Sequence, residues 1–124
     1  MEPLWVGYYS VCLKKKKMEP TNKRETFSEI INGDTPVLVD FFAEWCGPCK
    51  MMKPVLEKLH QQMGDKVRII KIDIDKSPAA ANTFQVQSVP TLMLFQKGKP
   101  VWRQSGVVQA AQLENIIKQK SIIK

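Results

Sequence analysis

The stretch "AEWCGPCK", residues 43–50, carries two cysteines with only Gly47 and Pro48 between them. Before it, "PVLVDFFA" (36–43) is a continuous apolar run, the pattern of a strand buried on both faces, broken by one acid at Asp40. After it, Met52, Leu56, Leu59 and Met63 fall on one stripe of a helix that starts near Pro48 and contains Pro54, where a kink is expected. The cysteines therefore sit where a strand hands over to a helix. Proline is tolerated in a helix's first turn because its missing N–H has no partner there anyway. Cys46 then meets the unpaired N–H groups and positive end of the helix, which favour a thiolate. Cys49, one turn along, is close enough to bridge to it and is expected to be the more buried of the two.

Three chemistries use such a pair. A zinc site normally takes four Cys or His ligands. Beyond the pair, the chain offers only Cys12, near its start, and His60, on the amphipathic helix, so no metal is expected. A purely structural bridge is also a poor reading, since so short a loop removes little chain entropy. A couple that opens and closes is left, and C-x-x-C beside alternating strands and helices is a sign of that redox chemistry.

Working outward, the alternation continues. "TFSEIING" (26–33) places Phe27, Ile30 and Ile31 at helical spacing, with Gly33 as a stop. "VRIIKIDID" (67–75) is a strand with Ile70, Ile72 and Ile74 on one face and Lys71 on the other, beside Val67, Ile69 and Asp73. A short helix spans Ala79–Phe84. "PTLMLFQKGKPVWRQSG" (90–106) is a hairpin of Thr91–Phe95 and Pro100–Ser105 around a Lys-Gly turn. Ala110, Leu113 and Ile117 mark a last amphipathic helix. The order α-β-α-β-α-β-β-α implies an α/β fold, a mixed sheet with helices on both faces.

A chain of 124 residues with 44% apolar and 25% charged residues is one ordinary globular domain that needs no covalent staple. The net charge of +7 does not imply nucleic acid. Residues 1–24 carry +4 of it, and residues 25–124 hold 13 basic and 10 acidic side chains. Residues 1–22 read as an N-terminal extension, disordered or non-native, with a natural start at Met18; the domain is 23–124. Within the extension, "LWVGYYSVCL" (4–13) is too short to span a bilayer, and "KKKK" follows it, whereas a secretory signal has its charge first. A membrane-surface anchor is the alternative for that run. Cys12 is read as an incidental thiol.

"WCGPCK" at 45–50, "VLVDFFAE" before it, "VPT" at 89–91 and Gly106 together resemble the thioredoxin family over residues 26–119. The resemblance implies a thioredoxin fold and dithiol–disulfide exchange on protein substrates. It implies Cys46 as the attacking thiolate and Cys49 as the thiol that resolves the mixed disulfide. Asp40 becomes the buried acid beneath the pair, assisting deprotonation of Cys49 through water. Burial should raise its pKa. Lys71 resembles the lysine that approaches this acid. Pro90 matches the proline that faces the disulfide after a cis bond from Val89. Trp45, Gly47, Pro48, Val89, Gly106 and Val107 would form the flat apolar surface that grips substrate backbone. Phe42 stands where Trp is common, Ser88 where Gly is frequent, and Ser105 and Val107 replace other small or apolar residues. Many members begin with an extra edge strand. "KKKKMEPTNK" (14–23) is too polar for one, so four strands are expected, or five if another segment supplies it.

Gly-Pro between the cysteines goes with reducing members of that family. With no signal peptide, this implies a cytoplasmic, monomeric reductant with no bound cofactor. Its redox-active disulfide would be recharged by a flavoprotein thioredoxin reductase drawing on NADPH, and no nucleic acid or membrane partner is expected. Two other classes stay open: an oxidant or isomerase of an oxidising compartment, and a non-catalytic binding subunit using the same apolar rim.

Overall fold

The computed structural model describes residues 27–122. The N-terminal extension, Cys12 and the question of a fifth strand fall outside those residues. The elements are α1 (Phe27–Ile31), β1 (Val37–Phe42), α2 (Gly47–Met63), a 3-10 turn (Gly64–Lys66), β2 (Arg68–Asp73), α3 (Pro78–Thr83), β3 (Thr91–Gln96), β4 (Lys99–Ser105) and α4 (Ala110–Lys120). The expected order of helices and strands is present, and α2 runs unbroken through Pro54.

The four strands are arranged β2-β1-β3-β4. β1 pairs parallel with β2, while β3 is antiparallel to both β1 and β4. A parallel pair needs a crossover, and α2 supplies it. The central strands β1 and β3 are buried almost throughout, which is why their sequences are apolar without alternation. One sheet face, with Val39, Phe41, Ile70, Ile72, Met93 and Phe95, packs against α1 and α3. Phe27, Phe84 and Phe95 meet there at centroid distances of 5.2–5.5 Å. The other face, with Leu38, Ile69, Leu92 and Leu94, holds the α2 stripe of Met52, Leu56, Leu59 and Met63 together with Leu113 and Ile117 of α4. Each such side chain contributes about 1.5–3 kcal/mol on leaving water, so the stripe alone fixes α2 to the sheet.

The hairpin turn is tied to α1. Lys97 and Gly98 both have positive φ (56° and 82°), the conformation of a two-residue turn whose twist matches the strands. Their N–H groups donate to Gly33 O (3.0 Å) and Ile31 O (2.8 Å), satisfying carbonyls at the end of α1. A Cβ on residue 98 would lie 2.5 Å from Asn32 Oδ1. Gly98→Ala should therefore cost about 1–2 kcal/mol, read as a lower urea midpoint. An unchanged midpoint would show that the turn adapts freely.

Candidate active site

β1 ends at Phe42 and the chain turns through Ala43–Trp45 into α2. The turn closes with Cys46 N donating to Ala43 O at 3.2 Å. Cys46 is the N-cap of α2, with extended backbone (φ −89°, ψ 119°), and its Sγ accepts from the N–H of Cys49 at 3.1 Å. The two cysteines form a disulfide with Cα atoms 5.4 Å apart. That separation lies within the ordinary range for a bridge. Gly47 and Pro48 occupy the exposed first turn, and Pro48 deletes an N–H that no carbonyl requires.

One expectation is corrected. Cys46 and Cys49 are equally buried, at 4% and 5% exposure. Both pack in a small cluster with Ala43, bordered by Phe42, Ile74 and Val89. Cys46 Sγ lies 3.6 Å from Val89 O, so the loop before β3 covers the first cysteine as α2 covers the second. Burial therefore does not separate the two thiols; the helix cap does.

Val89 reaches the pair, its carbonyl 3.6 Å from Cys46 Sγ, and a cis peptide bond joins it to Pro90. Gly106, at φ 98°, donates its N–H to Pro90 O at 2.8 Å. That positive φ suits glycine best of all residues. Val107 is half-buried against the α2–α4 side of the core. Trp45 is 69% exposed, and Met51, in the first turns of α2, is exposed as well.

Asp40 lies in the middle of β1 and is wholly buried. It shares a sheet face with Leu38, the face covered by α2, opposite Lys71 on β2 and Leu92 on β3. Neither carboxylate oxygen has a hydrogen-bond partner among the described residues. Desolvation pushes the pKa up from 3.8 to about 7, and the charge of Lys71 only partly opposes this. Lys71 is half-buried, and its Nζ sits 4.9 Å from the Phe42 ring centroid, a cation–π arrangement. Lys71 thus acts on Asp40 through its field.

Sequence reading missed the support under Trp45. Its Nε1 donates to Asp75 Oδ2 at 2.8 Å. Asp73 holds that turn, its Oδ1 accepting from the N–H groups of Asp75 (2.9 Å) and Lys76 (3.3 Å). The acids of "IDID" after a strand were the available signal, since Asp favours such turns. Among the described residues, no group of three or more His, Cys, Asp or Glu side chains could hold a metal ion. No helix among them is long and apolar enough to cross a membrane.

A thioredoxin family profile matches residues 17–119. The chain belongs to the thioredoxin family. A thioredoxin-like protein of Synechocystis is 53% identical over 88 residues, covering 70% of this chain and 84% of that one. Chloroplastic thioredoxin Y of rice is 42% identical over 95 residues, 73% of this chain and 56% of that one, so this chain spans little more than half of the rice protein. Among solved structures, oxidised mitochondrial thioredoxin 3 of Saccharomyces cerevisiae superposes with a TM-score of 0.68 at 40% identity. The superposition covers 75% of this chain and 86% of the yeast one. The sheet with helices on both faces is the thioredoxin fold. The molecule is a thioredoxin-type protein-disulfide oxidoreductase acting on disulfide-containing proteins, and its redox group is the Cys46–Cys49 disulfide.

Asp40 makes stability depend on pH. Its folded pKa exceeds the unfolded value, so below about pH 3.8 both states are protonated and no penalty exists. As pH rises from about 3.8 to 7, the unfolded state loses its proton first and stability falls. The full shift corresponds to about 4 kcal/mol. Asp40→Asn should therefore gain stability over the parent progressively across that window, up to several kcal/mol at pH 8, and little at pH 3.5. Denaturation at a series of pH values checks this. A constant gap would mean that the acid ionises equally in both states.

Proposed function

We propose that this thioredoxin reduces protein disulfides with Cys46 as the attacking group and Cys49 as the resolving one. The observation that carries the assignment is the N-cap: Cys46 Sγ accepts the Cys49 N–H at 3.1 Å, so negative charge on Cys46 is stabilised where α2 begins. Cys46 thiolate attacks one sulfur of the substrate disulfide, forming a mixed disulfide and expelling a substrate thiolate. Cys49, once deprotonated, attacks Cys46 Sγ, closing the enzyme disulfide and expelling the second thiolate. Two electrons pass to the substrate and the dithiol becomes a disulfide.

Asp40 is the base for the second step in this reading, relaying through water. A pKa near 7 supports it, since a buried acid held there can both take and return a proton at neutral pH. Lys71 tunes it electrostatically. Trp45, Gly47, Pro48, Val89, Gly106 and Val107 hold the substrate chain. The exposed Trp45 beside the pair and the Gly106–Pro90 bond support this rim.

The reductant is a flavoprotein thioredoxin reductase using NADPH, and the working form is a cytoplasmic monomer without nucleic-acid or membrane partners. The Gly47-Pro48 insert and the near-balanced charge of residues 25–124 support a reducing, soluble role. A fluorescent fusion showing an organelle would overturn the compartment.

Cys49→Ser should accumulate a substrate-linked complex that dithiothreitol dissolves, and Cys46→Ser should trap nothing, both read on non-reducing gels with oxidised insulin. Trapping by Cys46→Ser instead would reverse the two roles.

A further inference from the structure

The loop from Phe84 to Pro90 brings the Val89 carbonyl to Cys46 Sγ, and β4 holds the loop at both ends. At its start, α3 ends in a Schellman cap. Val86 N donates to Ala81 O (2.9 Å) and Gln85 N to Asn82 O (3.1 Å), with Gln85 left-handed at φ 56°. Glycine is the usual residue at that position; a glutamine has a Cβ that disfavours it. Arg103 of β4 compensates. Its Nη1 donates to Phe84 O at 2.5 Å and its Nη2 to Gln85 O at 2.8 Å. Those two carbonyls belong to the peptide planes on either side of the Gln85 Cα, so one planar fork fixes both dihedrals of the left-handed residue. At the loop's far end, Thr91 Oγ1 donates to Ser88 O (2.7 Å), and the Ser105 hydroxyl lies 3.1 Å from Thr91 Oγ1 and 3.4 Å from Ser88 Oγ. Arg103 pairs with Met93 and Ser105 with Thr91 across the ladder, so both side chains leave β4 on the sheet face that α3 covers.

We propose that Arg103 is a positioning residue for substrate capture: by holding both peptide planes around Gln85, it sets the path of residues 84–90 and so the place of Val89 and Pro90 against Cys46. The inference rests on the reading of that loop as part of the substrate rim. A protein disulfide must engage the rim, whereas a small one such as 2-hydroxyethyl disulfide needs only the sulfur of Cys46. Misplacement of a gripping loop thus slows the first reaction selectively. In Arg103→Met, which keeps an apolar stem and loses the fork, kcat/KM for insulin should fall about fivefold relative to the rate with 2-hydroxyethyl disulfide. Arg103→Lys, a point charge without the fork, should recover only part of it. An unchanged ratio in Arg103→Met overturns the inference. So does a parallel loss of both rates, which would mark a merely structural residue, or full recovery by lysine, which would mark charge steering. Trp45→Ala is measured alongside. A drop there with none in Arg103→Met overturns this inference alone, and no drop in either overturns the rim reading as well. A drop in Arg103→Met with lysine intermediate supports the inference whichever way Trp45→Ala falls.

Discussion

The bond from the Cys49 N–H to Cys46 Sγ, 3.1 Å long, is the contact on which the site depends. It makes the first cysteine the cap of α2, so on the proposed assignment one sulfur both completes a helix and carries the reactive charge. The fold keeps it in place from three directions. β1 delivers the chain to the turn, and the α2 stripe from Met52 to Met63 locks the helix onto the sheet. The loop before β3 then brings Val89 against the sulfur. Loss of any of these would move the helix start relative to the substrate surface.

Acidity alone does not account for rapid exchange. Thioredoxins as a group have an attacking thiol that ionises near pH 7, against about 8.5 for free cysteine; this is a known family value rather than one obtained from this molecule. Such a shift raises the thiolate fraction at pH 7 roughly 15-fold. With a Brønsted slope near 0.45, nucleophilicity falls about fivefold in return, leaving about threefold. The larger effect must come from holding the substrate disulfide in line with Cys46. On the proposed rim, that task falls to the loop carrying Val89 and Pro90 and to the side chains that hold it.

The architecture was legible because its signals are local. The apolar run 36–43 with one interior acid, the stripe after Pro48, and the Lys-Gly turn each state a period or a turn type within a few residues. Asp40 was legible for the same reason: a lone acid in a strand buried on both faces must be neutralised or paired. What escaped were pairings between side chains and groups far along the chain: Trp45 with Asp75, and Arg103 with Phe84 and Gln85. No periodicity encodes them. Ser88 and Ser105 stood out singly as departures from the family pattern, yet they meet at 3.4 Å and with Thr91 form a cluster of three hydroxyls at the loop's end. The equal burial of the two cysteines was likewise invisible, because the cover over Cys46 comes from a loop more than 40 residues downstream.

If the helix cap, rather than exposure, separates the thiols, the reduced protein should show it directly. Competitive alkylation with iodoacetamide from pH 5 to 9, with each cysteine followed by mass spectrometry, measures both ionisations in one sample. The account predicts that Cys46 reacts well before Cys49 below pH 8, with its midpoint clearly lower. Equal rates at every pH, or faster labelling of Cys49, would contradict it.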